Sequence, residues 1–170
     1  YLARIAAYDK QGPALNAVVL LNPDATRQAA EMDRRFAQGG LTGPLHCIPM
    51  VVKDNFETID LQSADGSKSL EGFVSDKDAF LVRKIKAAGA IVIAKTNMAE
   101  FAFSPYETLS SLQGHTKNPY ALDRVPAGSS GGTAASVAAS FATAGLGSDT
   151  GNSIRGPSAH TALVGIRSTM

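Results

Sequence analysis

Two short runs of apolar residues predict buried strands in the first two thirds of the chain. Residues 48–52 (Ile-Pro-Met-Val-Val) and residues 90–94 (Ala-Ile-Val-Ile-Ala) contain no polar side chain. Continuous runs of this kind are typical of strands that are covered on both faces. Weaker apolar runs over residues 17–21, 141–147 and 164–168 predict three more strands.

The segments between these strands carry helix signals. Asn22, Asp76 and Asn97 are predicted helix caps, and Pro23 is typical of the first turn of a helix. Glycine follows the apolar periodicity where two of these helices should end. Helices are therefore predicted over residues 1–8, 23–38, 76–88, 97–103 and 131–140, and after Ser153.

Strands that alternate with helices predict an α/β fold with a largely parallel or mixed sheet. No linker, repeat or low-complexity segment divides the chain, so residues 1–170 are expected to form a single domain, with residues 61–75 as an irregular excursion. Because the chain opens at Tyr1 and stops at Met170 directly after a predicted strand, it is expected to be part of a longer polypeptide.

Composition and charge narrow the class of protein. Hydrophobic residues make up 44% of the chain, and the formal net charge of +1 gives no reason to expect a nucleic-acid or membrane partner. Neither a signal peptide nor an apolar span is visible, and the lone Cys47 rules out an internal disulfide, so a cytoplasmic location is expected. No spacing of Cys, His and Asp resembles a metal site, and neither a metal nor a cofactor is expected.

Two loops of small residues built around serine are the main chemical signal. Residues 128–132 read Gly-Ser-Ser-Gly-Gly, and residues 147–153 read Gly-Ser-Asp-Thr-Gly-Asn-Ser. Lys53 directly follows the apolar run at 48–52. Two hydroxyls and one amine are the groups needed for acyl transfer by a serine nucleophile whose base is lysine.

Ser153 has two interpretations. It follows a turn and precedes a predicted helix, where consecutive backbone N–H groups bind an oxyanion and Gly151 allows a carbonyl to approach closely. The simpler interpretation is that Ser153 is only a helix N-cap.

Lys53 also has two interpretations. A lysine at a strand end is usually exposed, but the apolar run before it favours burial, which lowers a lysine pKa from its ordinary value of about 10.4. Asp54 and Asn55 could steady the amine by hydrogen bonding, although Asp54 facing it would raise its pKa.

Other patterns in the serine loops remain open or fail. The pair Ser129 and Ser130 also fits a flexible linker, and Ser130 fits the nucleophile elbow of an α/β-hydrolase, although Pro126 argues against the strand that this elbow needs. A phosphate-binding P-loop is excluded because its lysine is missing. A Ser-His-Asp triad remains conceivable, with three histidines available: His46, His115 and His160.

Taken together and in order, these segments resemble the amidase signature family from about residue 41 to residue 169. The matching pieces are Gly43-Pro44-Leu45, Ile48-Pro49, Lys53-Asp54-Asn55, Gly89-Ala90, Lys95-Thr96-Asn97-Met98, Asn118-Pro119, Asp123-Arg124, Gly128-Ser129-Ser130-Gly131-Gly132, Gly147-Ser148-Asp149, Ser153-Ile154-Arg155 and Pro157-Ser158. The resemblance implies a mixed β-sheet surrounded by α-helices, truncated here, and cleavage of a small-molecule amide by a Ser–cis-Ser–Lys triad.

The resemblance also implies roles for individual residues. Ser153 is the expected nucleophile, Ser129 the proton shuttle and Lys53 the general base, with a cis peptide bond between Ser129 and Ser130. The oxyanion is expected to be bound by backbone N–H groups of Thr150, Gly151, Asn152 and Ser153. Supporting roles are expected for Ser130, Asp149 and Arg155. A homodimer is left open.

Two departures and two rival functions accompany the resemblance. Asn152 and Ala127 stand where most members have glycine, and Asn152 is expected to tolerate a left-handed backbone while narrowing the pocket. Family members are several hundred residues long, so much of the sheet and of the acyl pocket is expected to lie outside this chain. The rivals to a simple amidase are a glutaminase subunit that supplies ammonia for tRNA-dependent amidotransfer, and a fragment without activity.

Overall fold

A computed structural model describes residues 1–169. The helices are α1 (Leu2–Tyr8), α2 (Ala25–Gly39), α3 (Phe80–Ala87), α4 (Gly131–Ala138) and α5 (Arg155–His160). The strands are β1 (Val18–Leu21), β2 (Pro49–Lys53), β3 (Ile91–Thr96), β4 (Leu109–Ser110), β5 (Gly114–His115) and β6 (Ala144–Leu146). Short 3₁₀ turns occupy Lys68–Leu70 and Glu100–Ala102.

The main sheet has the strand order β1-β3-β2-β6. β1 is antiparallel to β3, whereas β2 is parallel to both β3 and β6. The strands β4 and β5 form a separate antiparallel pair. The predicted α/β class, with a mixed sheet surrounded by helices, is confirmed.

Both faces of the sheet are covered, which explains the continuous apolar runs of its central strands. On one face, Val51 and Ile93 pack with residues from α1, α2 and α4. On the other face, Val52 and Val92 pack with Val82 of α3. Neighbouring residues of a strand point to opposite faces, so each central strand contributes to both cores.

Two predicted helices start at the wrong residue. The helix expected from Asp76 begins at Phe80, because the carboxylate of Asp78 is engaged elsewhere, accepting from the Ile59 N–H at 3.0 Å and from Lys86 Nζ at 3.0 Å. The helix expected from Pro23 begins at Ala25, with Asp24 rather than Asn22 at its cap position. Asn22 instead accepts from the Asp24 N–H at 2.9 Å and donates to the Val92 carbonyl at 2.7 Å, which ties this turn to the sheet.

The helix predicted over residues 97–103 is wrong, since only the 3₁₀ turn Glu100–Ala102 forms there. Asn97 does not cap it, because its side-chain amide donates to the Gly114 carbonyl and to the Thr116 hydroxyl, each at 3.0 Å. Phe101 has a φ of 50°, which is incompatible with a continuing helix.

The two strands predicted nearest the end of the chain are the least accurate. The run 141–147 forms a strand only over Ala144–Leu146. The run 164–168 forms no strand, and Val164 and Ile166 are 92% and 80% exposed. β6 is the edge of the sheet in the described chain, so this run has no neighbouring strand there. No described helix combines the length and apolar character needed to cross a bilayer.

Candidate active site

Lys53 and the two serine loops meet because β2 and β6 are adjacent parallel strands. Val52 pairs with Leu146, and the carboxyl ends of parallel strands lie at the same edge of a sheet. Lys53 is the last residue of β2, and the loop 147–153 follows β6. Helix α4 packs across β2, β3 and β6, and residues 129 and 130 directly precede it.

Lys53 is fully buried, and its amine contacts both loops. Nζ donates to Ser129 Oγ at 2.6 Å and to Ser148 Oγ at 2.8 Å. Burial lowers the pKa of Lys53 to about 8, although the negative charges of Asp65 and Asp149 act in the opposite direction. A lysine with this pKa can release its proton near neutral pH, as a general base must.

Asp54 does not face the Lys53 amine. Its Oδ2 accepts from the Gly66 N–H at 3.0 Å, and its Oδ1 lies 3.9 Å from Nζ of Lys95. Burial raises the pKa of Asp54. The carboxylate that follows Lys53 in the chain therefore belongs to a different lysine.

The cis peptide bond joins Gly128 to Ser129. The prediction that it joins Ser129 to Ser130 is wrong by one residue. The Ser129 carbonyl accepts from the Ala99 N–H at 3.1 Å, while the Ser130 N–H donates to the Ser153 carbonyl at 3.2 Å. These two partners hold the carbonyl and the N–H of the Ser129–Ser130 peptide in separate hydrogen bonds, and that peptide is trans.

Ser153 lies between β6 and α5 and is 8% exposed. Helix α5 begins at Arg155 with Ile154 at its cap position, so the interpretation of Ser153 as a helix N-cap is wrong. The backbone hydrogen bond from Ser130 to Ser153 places the two serine loops side by side.

The backbone of the second serine loop presents free donors. The N–H groups of Thr150, Gly151, Asn152 and Ser153 donate no hydrogen bond to any other described residue. Consecutive unpaired N–H groups form a concave site for an anion, such as the oxyanion of a tetrahedral intermediate.

Asp149 braces this loop from inside. Its carboxylate, which has no exposed surface, accepts from the backbone N–H of Ile154 at 2.9 Å and of Arg155 at 3.1 Å. The Arg155 guanidinium adds two further hydrogen bonds to it at 3.0 Å each. This guanidinium holds the pKa of Asp149 well below its usual range, so the brace stays charged at every working pH.

Ser130 links the two loops through the backbone of Ser148. Its Oγ donates to the Ser148 carbonyl at 3.2 Å and accepts from the Ser148 N–H at 3.3 Å. Ser130 occupies the cap position of α4, and residues 122–130 contain no strand. The α/β-hydrolase elbow therefore lacks the strand that it needs.

The two departures from the family pattern have different consequences. Asn152 is not left-handed, contrary to expectation. Its side-chain amide instead donates to the Pro105 carbonyl at 3.2 Å. Ala127 does adopt a left-handed backbone, with a φ of 62°.

None of the three histidines bonds to a serine of the two loops within the described chain. The His46 ring lies 2.9 Å from the Thr42 hydroxyl, and the His115 ring lies 3.6 Å from the Glu107 carboxylate. His160 accepts a hydrogen bond only through its backbone carbonyl. Across residues 1–169, no group of three or more His, Cys, Asp or Glu side chains could hold a metal ion.

An open groove of about 810 Å³ lies beside β6 and α4. Ser130, Asp149 and the segment 163–168 line it, but Lys53, Ser129 and Ser153 do not. The described residues therefore bring the reactive groups together without a walled pocket over them.

Sequence reasoning missed the second buried lysine. Lys95 is fully buried and donates to the carbonyls of Phe56 at 2.8 Å and Gln62 at 2.9 Å and to Ser63 Oγ at 2.8 Å. Burial lowers its pKa to about 8. The signal that singled out Lys53, a lysine directly after an apolar run, was equally present at Lys95. Ser148 and Asp65 were also assigned no role.

The whole chain matches a known family. The sequence model of the family Amidase covers residues 1–170. Its relatives include the A-type subunits of glutamyl-tRNA(Gln) amidotransferase from Acidothermus cellulolyticus, 45% identical over 170 residues, and from Geobacter sulfurreducens, 46% identical over 169 residues. Each alignment covers 99% of this chain, but only 33% and 34% of the respective relative.

Solved structures lead to the same family. The native peptide amidase from Stenotrophomonas maltophilia is 46% identical, with a TM-score of 0.88 over 94% of this chain and 33% of that one. The A-type subunit of glutamyl-tRNA(Gln) amidotransferase from Thermotoga maritima is 36% identical, with a TM-score of 0.77 over 92% of this chain and 31% of that one. The chain thus spans about a third of the length of the relatives that it matches.

Proposed function

This chain belongs to the amidase family, and from that membership we propose that it carries the reacting groups of an enzyme that hydrolyses the C–N bond of a linear amide. Ser153 is the nucleophile, Ser129 the proton shuttle and Lys53 the general base. The observation that carries the proposal is the 2.6 Å hydrogen bond between Lys53 Nζ and Ser129 Oγ, both of them fully buried.

The reaction begins with proton transfer along the relay. Neutral Lys53 takes a proton from Ser129, which takes one from Ser153, and Ser153 Oγ bonds to the amide carbonyl carbon. The free N–H groups of residues 150–153 stabilise the negative charge on the carbonyl oxygen. The proton then returns through the relay to the leaving amine, the C–N bond breaks, and water hydrolyses the resulting ester.

The second link of the relay depends on substrate. A hydrogen bond between the hydroxyls of Ser129 and Ser153 is not among those formed by the described residues. The bond from the Ser130 N–H to the Ser153 carbonyl nevertheless keeps the two serines in neighbouring positions. Catalytic hydrogen bonds of free enzymes are often long and shorten only in the complex with substrate.

A second candidate keeps this chemistry but changes the substrate. The relatives named as glutamyl-tRNA(Gln) amidotransferase favour glutamine as the amide, with the released ammonia passed to a partner protein. Turnover of the full-length protein with glutamine, compared with aliphatic, aryl and peptide amides, distinguishes the two. Preference for glutamine together with copurifying partner proteins supports the second candidate.

The direct test is covalent labelling of the nucleophile. A fluorophosphonate probe should label the full-length protein at Ser153, and Ser153→Ala should abolish both the labelling and amide hydrolysis. Lys53→Ala and Ser129→Ala should each lower kcat by about a thousandfold or more while leaving the fold intact.

Ser140→Ala provides the matched control, because this serine is exposed at the end of α4 and away from both loops. It should keep full labelling and turnover. Labelling that survives Ser153→Ala, or a full-length protein that takes up no label, would contradict the proposal; the latter result is the one expected of an inactive chain.

A further inference from the structure

Lys53 has a second hydroxyl partner that the proposed relay does not use. Its Nζ donates to Ser148 Oγ at 2.8 Å, in addition to Ser129 Oγ at 2.6 Å. Asn55 Nδ2 also donates to Ser148 Oγ, at 3.0 Å. The amine is therefore held between two serines that come from different loops.

Ser148 is itself fixed through both its backbone and its side chain. The Ser130 hydroxyl bridges the N–H and the carbonyl of Ser148. Asn55 lies just beyond β2, so the strand end that supplies Lys53 also supplies the group that orients Ser148. An amide nitrogen can only donate, so Asn55 constrains the Ser148 oxygen to be an acceptor on that side.

We propose that Ser148 is a positioning residue for Lys53, which engages one N–H of the amine and so leaves its lone pair directed at Ser129. The inference rests on the proposed function, because it gives Ser148 a role only through Lys53. A protonated amine has three N–H donors, and the loss of one proton leaves two donors and a lone pair. With one donor held by Ser148, rotation about the Cε–Nζ bond is restricted.

The charges around Lys53 allow this contact to be measured separately. Asp65, from the loop after β2, and Asp149, from the loop after β6, are the charged groups that face the amine. Both remain in a variant of Ser148. A change in the titration of Lys53 in such a variant therefore reports the lost hydroxyl, since an acceptor of the ammonium form favours that form.

The test is an NMR titration of the full-length protein with ¹³C-labelled lysine. The Lys53 signal is identified by its absence in Lys53→Met. Ser148→Ala should lower the pKa of Lys53 by about one unit, because a hydrogen bond to a charged group is lost. Lys95 is the internal reference, since its pKa is also lowered to about 8 but none of its hydrogen bonds involves Ser148.

Activity and rescue complete the test. Ser148→Ala should lower kcat by about tenfold, and Ser148→Thr, which restores a hydroxyl, should recover both kcat and the Lys53 titration. Ser140→Ala should change neither. Asn55→Ala should produce a smaller shift of the Lys53 titration in the same direction as Ser148→Ala.

Two results would overturn the inference. One is a Lys53 titration that is unchanged in Ser148→Ala, whether activity is lost or kept, since a loss without a shift means that Ser148 only supports the loop. The other is a shift of the Lys95 signal equal to that of Lys53. Failure of the proposed function looks different: turnover would survive Ser153→Ala, while the titrations of Lys53 in the Ser148 variants would still stand.

Discussion

At the scale of single residues, Lys53 and Lys95 show how one sequence context serves two tasks. Each follows an apolar run, and each is fully buried. Lys95 pairs with Val52, one position before Lys53, so the two amines leave opposite faces of the sheet. Lys95 meets backbone carbonyls and the carboxylate of Asp54, whereas Lys53 meets two serine hydroxyls. Only the second arrangement provides protons to move.

The pH dependence of activity belongs to this scale. Because the relay needs neutral Lys53, kcat/KM for amide hydrolysis should rise with pH and reach half its maximum near pH 8. Asp65→Asn removes a negative charge that favours the ammonium form, so the rise should move to lower pH by about half a unit. The measurement is kcat/KM of the full-length protein between pH 6 and pH 9.5, which are about two units below and above that midpoint.

Asp123→Asn is the matched control, because this carboxylate is 79% exposed and pairs only with Arg124. Its profile should coincide with that of the unchanged protein. A rise that is insensitive to Asp65→Asn, or one that moves to higher pH, would count against Lys53 as the titrating base.

At the scale of elements, helix α4 shows why the serine loop precedes a helix of small residues. The amide nitrogen of Gly132 donates to the Asn97 carbonyl at 3.1 Å, and a Cβ at Gly132 would collide with the backbone of Asn97. The hydroxyls of Thr133 and Thr96 lie 2.7 Å apart across the same contact. Close approach of α4 to β3 sets where residues 129 and 130 lie relative to Lys53.

Substitution of Gly132 tests this packing. Gly132→Ala should lower the free energy of unfolding by about 1–3 kcal/mol, because the added methyl group forces backbone away from backbone. Gly39→Ala is the matched control, since Gly39 lies in the last turn of α2 with open space around it. It should raise the free energy of unfolding by about 0.5 kcal/mol, since alanine favours the helix. Urea denaturation measures both, and equal effects would refute the close contact.

At the scale of the whole molecule, two buried lysines lie at the ends of the two central strands. The pKa of each is lowered from 10.5 to about 8. Between these values the unfolded chain binds more protons than the folded chain, so this contribution to stability rises with pH from about 8 to about 10.5. Below about pH 8 both amines are charged in the folded state, and the cost of burying that charge is fully present.

Lys53→Met isolates one of these contributions. The variant should be more stable than the unchanged protein at pH 7, because a buried charge is removed. This advantage should shrink between pH 8 and pH 10, as Lys53 of the unchanged protein becomes neutral in the folded state. Urea denaturation at pH 7, 8.5 and 10 gives the difference in free energy of unfolding. Lys77→Met, at an exposed position, should show no such trend, and a constant advantage for Lys53→Met would be evidence against a lowered pKa.

The sequence by itself determined the α/β class, the two central strands and the set of residues to inspect around the serine loops. The physical reason is that these signals are local: an apolar run that is covered on both faces excludes polar side chains, and glycine, proline and capping residues act on their own turn. The family resemblance, now confirmed along the whole chain, rests on the same local strings of residues.

Only the tertiary structure decided which of those residues meet. The position of the cis bond at Gly128–Ser129 and the choice of Ser148 as a partner of Lys53 depend on contacts between segments far apart in sequence. The predicted strand at 164–168 failed for the same reason, because an apolar run becomes a strand only where a neighbouring strand can pair with it. Local sequence proposes elements and reactive groups, whereas packing selects their partners.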